Sequence, residues 1–219
     1  MADMYGKLEL ALFVAATVLY LVAWVWHLRS WQLGSEKQAG NAIRLLWAGW
    51  VLHLFLMGAR WLQVGHIPFI TAFEFVTFFA MLVMGVFLLF SLRPANRMLG
   101  VFLVPVGLLL MFYAALLPRD IEPELAIFDS LLLKFHVLTT LLGYAAWSIT
   151  FAASVSFLYL ERKEAASPGL FDRIAYRAAF FAFCFLTLGI VTGALWGDRV
   201  LGQLWFWDPK ETWSFITWL

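Results

Sequence analysis

"MADMYGKLELALFVAATVLYLVAWVWHL" fills residues 1–28, and its reading decides the fold. From Leu8 to Leu28 it is apolar almost without interruption, and about twenty such residues, rising about 1.5 Å each as a helix, cross roughly 30 Å of hydrocarbon. The run is too long for the core of a signal peptide and lacks a small-residue cleavage pattern, so it predicts a retained membrane-spanning helix. Runs of the same kind recur at 43–62, 69–92, 98–117, 131–160 and 174–195. A seventh begins near Pro209 and meets the end of the sequence at Leu219, short of a crossing. The expected fold is all-α: a polytopic transmembrane helix bundle of six complete spans plus the start of a seventh. No Gly/Ser linker, low-complexity tract or internal repeat divides residues 1–219, so a single membrane domain is expected.

Composition agrees and narrows the function. With 63% hydrophobic and 13% charged residues, the chain holds more apolar material than a soluble domain of its length could bury. A net charge of +1 without a basic cluster excludes nucleic acid as the expected partner. The lone cysteine, Cys184, lies in the apolar run "AAFFAFCFLTLGIV", which leaves no disulfide framework and no C-x-x-C pair. Any thiol chemistry must draw on a partner's cysteines.

Charge also orients the chain. The loops after the first, third and fifth spans carry Arg29, Lys37, Arg44, Arg93, Arg97, Arg162, Lys163, Arg173 and Arg177. The other side carries Lys7, Arg60, Arg119, Lys134, Arg199 and Lys210, together with the acidic loop "PRDIEPELAIFDS". Positively charged loops favour the cytoplasm, which sends the N-terminus and the closing segment to the opposite face.

That closing segment, "LWFWDPKETWSFITWL" (204–219), is where chemistry is most strongly suggested. Tryptophans 196, 205, 207, 213 and 218 crowd around Asp208-Pro209-Lys210-Glu211. Asp208 as a cap, Pro209 at the first helical position and Glu211 three after the cap make an ordinary helix start. Two readings stand side by side: an interfacial aromatic belt, or a broad aromatic face for a planar ligand, with stacking contributing about 0.5–1.5 kcal/mol per ring beyond burial.

The histidines are the other candidates. His136, Thr140, Gly143, Trp147, Thr150 and Ser154 form a polar and small stripe along one helix, which predicts a face turned to protein or a cavity; it is also what close helix packing alone would produce. His53 lies about 15 Å into its span, where an ionisable group is a functional candidate by default. Glu74, with His66 nearby, is a similar candidate, and either case is equally explained by a buried hydrogen-bond pair and nothing more; His27 beside Arg29 is expected to snorkel at the inner interface.

The string "WFWDPKETW" resembles the tryptophan-rich WWD signature of haem-handling proteins of cytochrome c assembly, most closely the CcsA/ResC branch of System II. "GARWLQVGHIPFITAFEF" (58–75) and "LLLKFHVLTTLLGYAAWSITFAASVSFLYLE" (131–161) are similar to the segments that precede the signature in that family. Leu201 and Leu204 stand where the family has aromatic residues, and the family's two further histidines would follow Leu219, so the chain reads as a C-terminally truncated member. The resemblance implies a component of a cytochrome c haem lyase that delivers haem at the outer membrane face for thioether formation with apocytochrome c bearing C-x-x-C-H. It implies haem b as the bound substrate, a CcsB/ResB-like membrane partner, and the bacterial cytoplasmic (inner) membrane rather than a thylakoid. It assigns the WWD-like loop to 196–213, the cofactor contacts to His136, Trp205, Trp207, Asp208 and Trp213, and the iron to His136; topology alone adds Lys210, Arg199 and Arg119 on the propionate side, and depth in its span makes His53 a second iron candidate. No residue has the character of a general acid or nucleophile. The alternatives are a haem or small-molecule transporter with a tryptophan anchor, or a b-type cytochrome membrane anchor, which needs paired histidines at matching depth.

Overall fold

A computed structural model of the chain describes residues 2–123, 125–163 and 168–219. The described backbone is helical, with no strand. The six spans are α1 (Ala2–Leu33), α2 (Glu36–Val64), α3 (Ala72–Phe90), α4 (Gly100–Ala115), α5 (Leu131–Arg162) and α6 (Pro168–Leu201); a short 3-10 helix, Pro94–Leu99, precedes α4, and α7 (Pro209–Trp218) closes the chain. All six, the fourth counted with the 3-10 turn before it as Asn96–Ala115, are long and apolar enough to cross a membrane. Helices α1, α2, α5 and α6 extend past the apolar runs through polar ends, whereas α3 and α4 lie within theirs. Ser35 caps α2 through its side chain, Gly65 ends it in the left-handed region, and Thr71 with Glu74 forms a capping box on α3.

Helices α1 to α4 make the inner bundle, α5 lies against α3 and α4, and α6 packs along α5. The buried stripe of α1 runs Phe13, Ala16, Tyr20, Ala23 and His27, which is helical spacing. His27 therefore points inward, and the snorkelling reading is corrected: its ring is 1% exposed, packs on Phe87, and lies so close to Gly100 that a Cβ there would come within 2.5 Å of it.

Indole N–H groups stitch the bundle. Pro105 within α4 has no N–H, so the carbonyl of Val101 loses its helical donor; the Trp24 indole supplies one at 3.0 Å. Trp50 donates to the Met81 carbonyl at 2.9 Å, reaching it over Gly85, where any side chain would collide with the indole.

At the end of the bundle where α2 stops and α3 begins, Arg60 is the knot. Its Nε donates to Glu74 at 2.9 Å, one Nη to Glu9 at 3.3 Å and to the Arg119 carbonyl at 2.9 Å, and the other Nη to the Asp120 carbonyl at 2.7 Å. All three charged side chains are at most 4% exposed. Glu74 thus pairs with Arg60 and not with His66, because its second oxygen is held by the Ile70 and Thr71 N–H groups at the start of α3. The two nitrogens of His66 face the Ile67 and Glu122 carbonyls at 3.1 and 3.3 Å. Arg60 and His66 together tie the α4–α5 loop, which leads into α5, to the C-terminal end of α2 and the start of α3.

Candidate functional site

The α5–α6 interface positions His136. Glycines 189, 193 and 197 repeat every four residues on α6, the spacing that lets membrane helices approach closely. At Gly143 of α5 a Cβ would lie 3.1 Å from the Leu186 nitrogen; at Gly193 it would lie 2.6 Å from Nδ1 and Cε1 of His136; at Gly189 it would collide with Thr140. The His136–Thr140–Gly143 part of the stripe therefore faces protein, as its pattern predicts.

This contact settles the ring's hydrogen bonding. Nδ1 of His136 lies 2.7 Å from the Gly189 carbonyl, which can only accept, so Nδ1 carries the proton. The lone pair is left on Nε2, which has no hydrogen-bond partner among the described residues. A donor hydrogen bond from one ring nitrogen to a backbone carbonyl, with the other nitrogen open, is the arrangement that orients imidazoles toward metals. The half-buried ring sits five residues from the N-terminal end of α5. Lys210 of α7 is the charged group whose field reaches it.

Residues 196–213 divide into the end of α6 with Trp196, a loop at 202–208, and the first half of α7. Gly202 at φ 75° ends α6, and Asp208 starts α7 by accepting the Glu211 N–H at 2.7 Å. Asp208 is thus occupied as a helix cap, which is the structural role its sequence context predicts. The Glu211 carboxylate reaches back to the Phe206 N–H at 2.6 Å, and the Thr212 hydroxyl donates to the Trp207 carbonyl at 3.4 Å. Between these ties Trp207 holds φ 56°, a left-handed backbone that costs a bulky residue of order 1–3 kcal/mol.

The rings form one cluster. Trp205 and Trp207 meet edge to face at 6.0 Å, both lie about 6.4 and 6.3 Å from Phe215, and Phe215 stacks on Trp218, which stacks on Phe183 of α6. Trp218 donates to Thr187 at 2.8 Å, and the Tyr144 and Ser214 hydroxyls meet at 3.4 Å, so α7 is moored to both α5 and α6. Trp207 remains 68% exposed, which leaves most of its surface free. Trp213, 67% exposed, projects from the face of α7 opposite Phe215 and joins no ring pair. The indole N–H groups of Trp196 and Trp205 are buried without a partner among the described residues, two donors at the α6–α7 end of the bundle.

His53 lies elsewhere. It is fully buried between α1 and α2, its Nδ1 3.1 Å from the Tyr20 hydroxyl; the Thr77 carbonyl acts on the ring, but Nε2 makes no hydrogen bond of good geometry. Arg119 is turned away too, its guanidinium over Phe13 and Phe73. No two of the four imidazoles share a site among the described residues. Two apolar cavities flank α5: one of about 550 Å³ lined by Phe79, Tyr144, Trp147 and Phe151, and one of about 300 Å³ lined by Phe69, Phe78 and Phe135 with Lys134.

Sequence reasoning missed Gly189 and Gly193 as the seat of His136, and Glu211 and Thr212 as ties of the loop. The four-residue glycine spacing was the available signal for the first pair. For the second there was none beyond the cap, since a carboxylate bonding an amide five residues earlier depends on how the loop folds back.

Comparisons with known proteins agree with this architecture. The chain is 32% identical over 183 residues to the cytochrome c biogenesis protein CcsA of Chlamydomonas reinhardtii, covering 77% of this chain and 52% of that protein. It is 28% identical over 220 residues to CcsA of Synechococcus elongatus (75% and 68%) and 29% over 203 residues to CcsA of Chlorella vulgaris (73% and 64%). The chain thus spans about half the length of the first of these relatives. A solved structure, "Cytochrome c Heme Lyase CcmF", superposes with a TM-score of 0.77 over 98% of this chain and 40% of that one; at 19% identity this speaks to the fold. The family model described as cytochrome C assembly protein matches residues 11–219, which contain every helix and loop of the site described above. The chain belongs to the cytochrome C assembly protein family.

Proposed function

We propose that this chain handles haem at the outer face of the membrane and presents it for covalent attachment to apocytochrome c, as part of a cytochrome c haem lyase. The observation that carries the proposal is the His136 ring: Nδ1–H is fixed on the Gly189 carbonyl, and the Nε2 lone pair is free for iron. Around it the chain offers what a flat apolar ring with two carboxylates needs: the exposed indole of Trp207, the unpartnered N–H groups of Trp196 and Trp205, and the ammonium of Lys210. Bound haem supplies the vinyl groups that the C-x-x-C-H thiols of the apocytochrome add to. The chain's own contribution in this reading is orientation. In this reading haem b is the substrate, a CcsB/ResB-like membrane protein the partner, and the loop faces the periplasmic side of a bacterial cytoplasmic membrane; algal and cyanobacterial relatives make the thylakoid the second location to examine.

The test is an absorption spectrum of the purified full-length protein together with its His136→Gly variant. The variant should lose most of the haem, and added imidazole should restore part of it. Unchanged haem in the variant would return His136 to a packing role, and a wild type without haem under every expression condition would favour the transporter. The b-type cytochrome anchor is disfavoured because no two imidazoles face each other among the described residues.

A further inference from the structure

Trp207 poses a problem that the capped helix start does not solve. A turn that needs a left-handed residue ordinarily takes glycine, and this same loop does so at Gly202. Six residues after Leu201, however, the left-handed position is held by the bulkiest side chain available, at φ 56°, and its ring is two-thirds exposed, so burial does not compensate for the backbone. The segment is clamped from both flanks instead. On the N-terminal side the Glu211 carboxylate accepts the Phe206 N–H; on the C-terminal side the Thr212 hydroxyl donates to the Trp207 carbonyl, while Pro209 and the Asp208 cap lock the residues between. Both clamping residues come from the first turn of α7, which is itself moored to α5 and α6 through Ser214 and Trp218.

We propose that Glu211, assisted by Thr212, is a positioning residue: it holds Trp207 in the left-handed backbone so that its indole is presented, edge to face with Trp205, as the stacking surface for a porphyrin ring. Glu211 acts through Trp207 and does not touch the ligand. Its carboxylate serves as a hydrogen-bond acceptor, which a glutamine oxygen at the same place also provides. The proposal rests on the reading that this loop receives haem, and two readouts keep the two claims apart.

The first readout is binding of zinc protoporphyrin to the full-length protein in detergent, followed by quenching of tryptophan fluorescence. The second needs no ligand: the far-ultraviolet circular dichroism couplet of the Trp205–Trp207 indole pair. Glu211→Ala and Thr212→Val should weaken porphyrin binding, the first by tenfold or more, and should diminish the couplet. Glu211→Gln should stay within threefold of the wild type and keep it. Trp207→Gly should lose as much affinity as Glu211→Ala, and the double variant should lose no more than Trp207→Gly alone, because no ring is left to position. Equal damage from Gln and Ala would overturn the proposal by showing that the charge matters, and additive losses would overturn it by showing that Glu211 acts elsewhere. If the wild type does not bind the porphyrin, the haem reading fails, and the couplet in Glu211→Ala still decides the brace. If Glu211→Ala does not fold, the couplet in Thr212→Val decides it, an unchanged couplet counting against.

Discussion

Gly193 leaves the room that the His136 ring occupies. A Cβ at this position would stand 2.6 Å from both Nδ1 and Cε1, closer than packed atoms come, and the ring cannot retreat without giving up the 2.7 Å bond to the Gly189 carbonyl. Gly193→Ala should therefore cut haem retention about tenfold or more, the equivalent of about 1.4 kcal/mol, and shift the absorption of what remains. Helix propensity works the other way, since alanine is favoured over glycine by about 1 kcal/mol in a helix interior. Gly58→Ala in α2, where nothing lies within 4 Å, isolates that term and should leave the spectrum unchanged with a neutral or raised thermal midpoint. A spectrum unaltered in Gly193→Ala would mean that the imidazole is free to turn. At this scale the sequence was readable for His136, whose stripe predicted an inward face, and opaque for its tautomer, which depends on a carbonyl 53 residues away.

Helices were the most legible level, because a twenty-residue apolar run has few alternatives in a membrane. Their partners were not legible. Trp24 reads as one more interfacial aromatic, and nothing local to it announces that it completes a carbonyl freed by a proline 81 residues later. The pairing makes a double-mutant test. Trp24→Phe keeps the ring but leaves the Val101 carbonyl without a donor, at a cost of about 1–3 kcal/mol. Pro105→Ala restores a backbone N–H to that same carbonyl. In the Pro105→Ala background the loss from Trp24→Phe should shrink to a fraction of its value, read as the thermal midpoint in detergent. Independent, additive losses would show that the indole contributes packing and not the hydrogen bond. The Arg60 knot escaped reading for the same reason: Glu9, Arg60 and Glu74 lie on three helices, and sequence proximity favoured His66 for Glu74.

Across the whole molecule, one end of α2, α3, α4, α5 and α6 gathers the loops at 65–71, 116–123 and 202–208, and charge counting predicts that this end faces away from the cytoplasm. A cysteine at the exposed Gln203 should react with an impermeant maleimide in intact cells; labelling only after lysis would invert the topology. In the haem site proposed at that end, the number of available imidazoles decides the state of the iron. His27 lies against Gly100 at the other end of the bundle, His53 is sealed between α1 and α2, and both nitrogens of His66 are turned to loop carbonyls. His136 is therefore the single imidazole that the described residues bring to the proposed site, and haem held by it should be five-coordinate. The reduced absorption spectrum of the 219-residue chain should be high-spin, and added imidazole should convert it to a six-coordinate, low-spin form. A six-coordinate spectrum without added ligand would contradict the geometry. His66→Gly then discriminates: if it abolishes the second ligand, the α2–α3 loop must leave the Ile67 and Glu122 carbonyls and fold over α5 when haem binds.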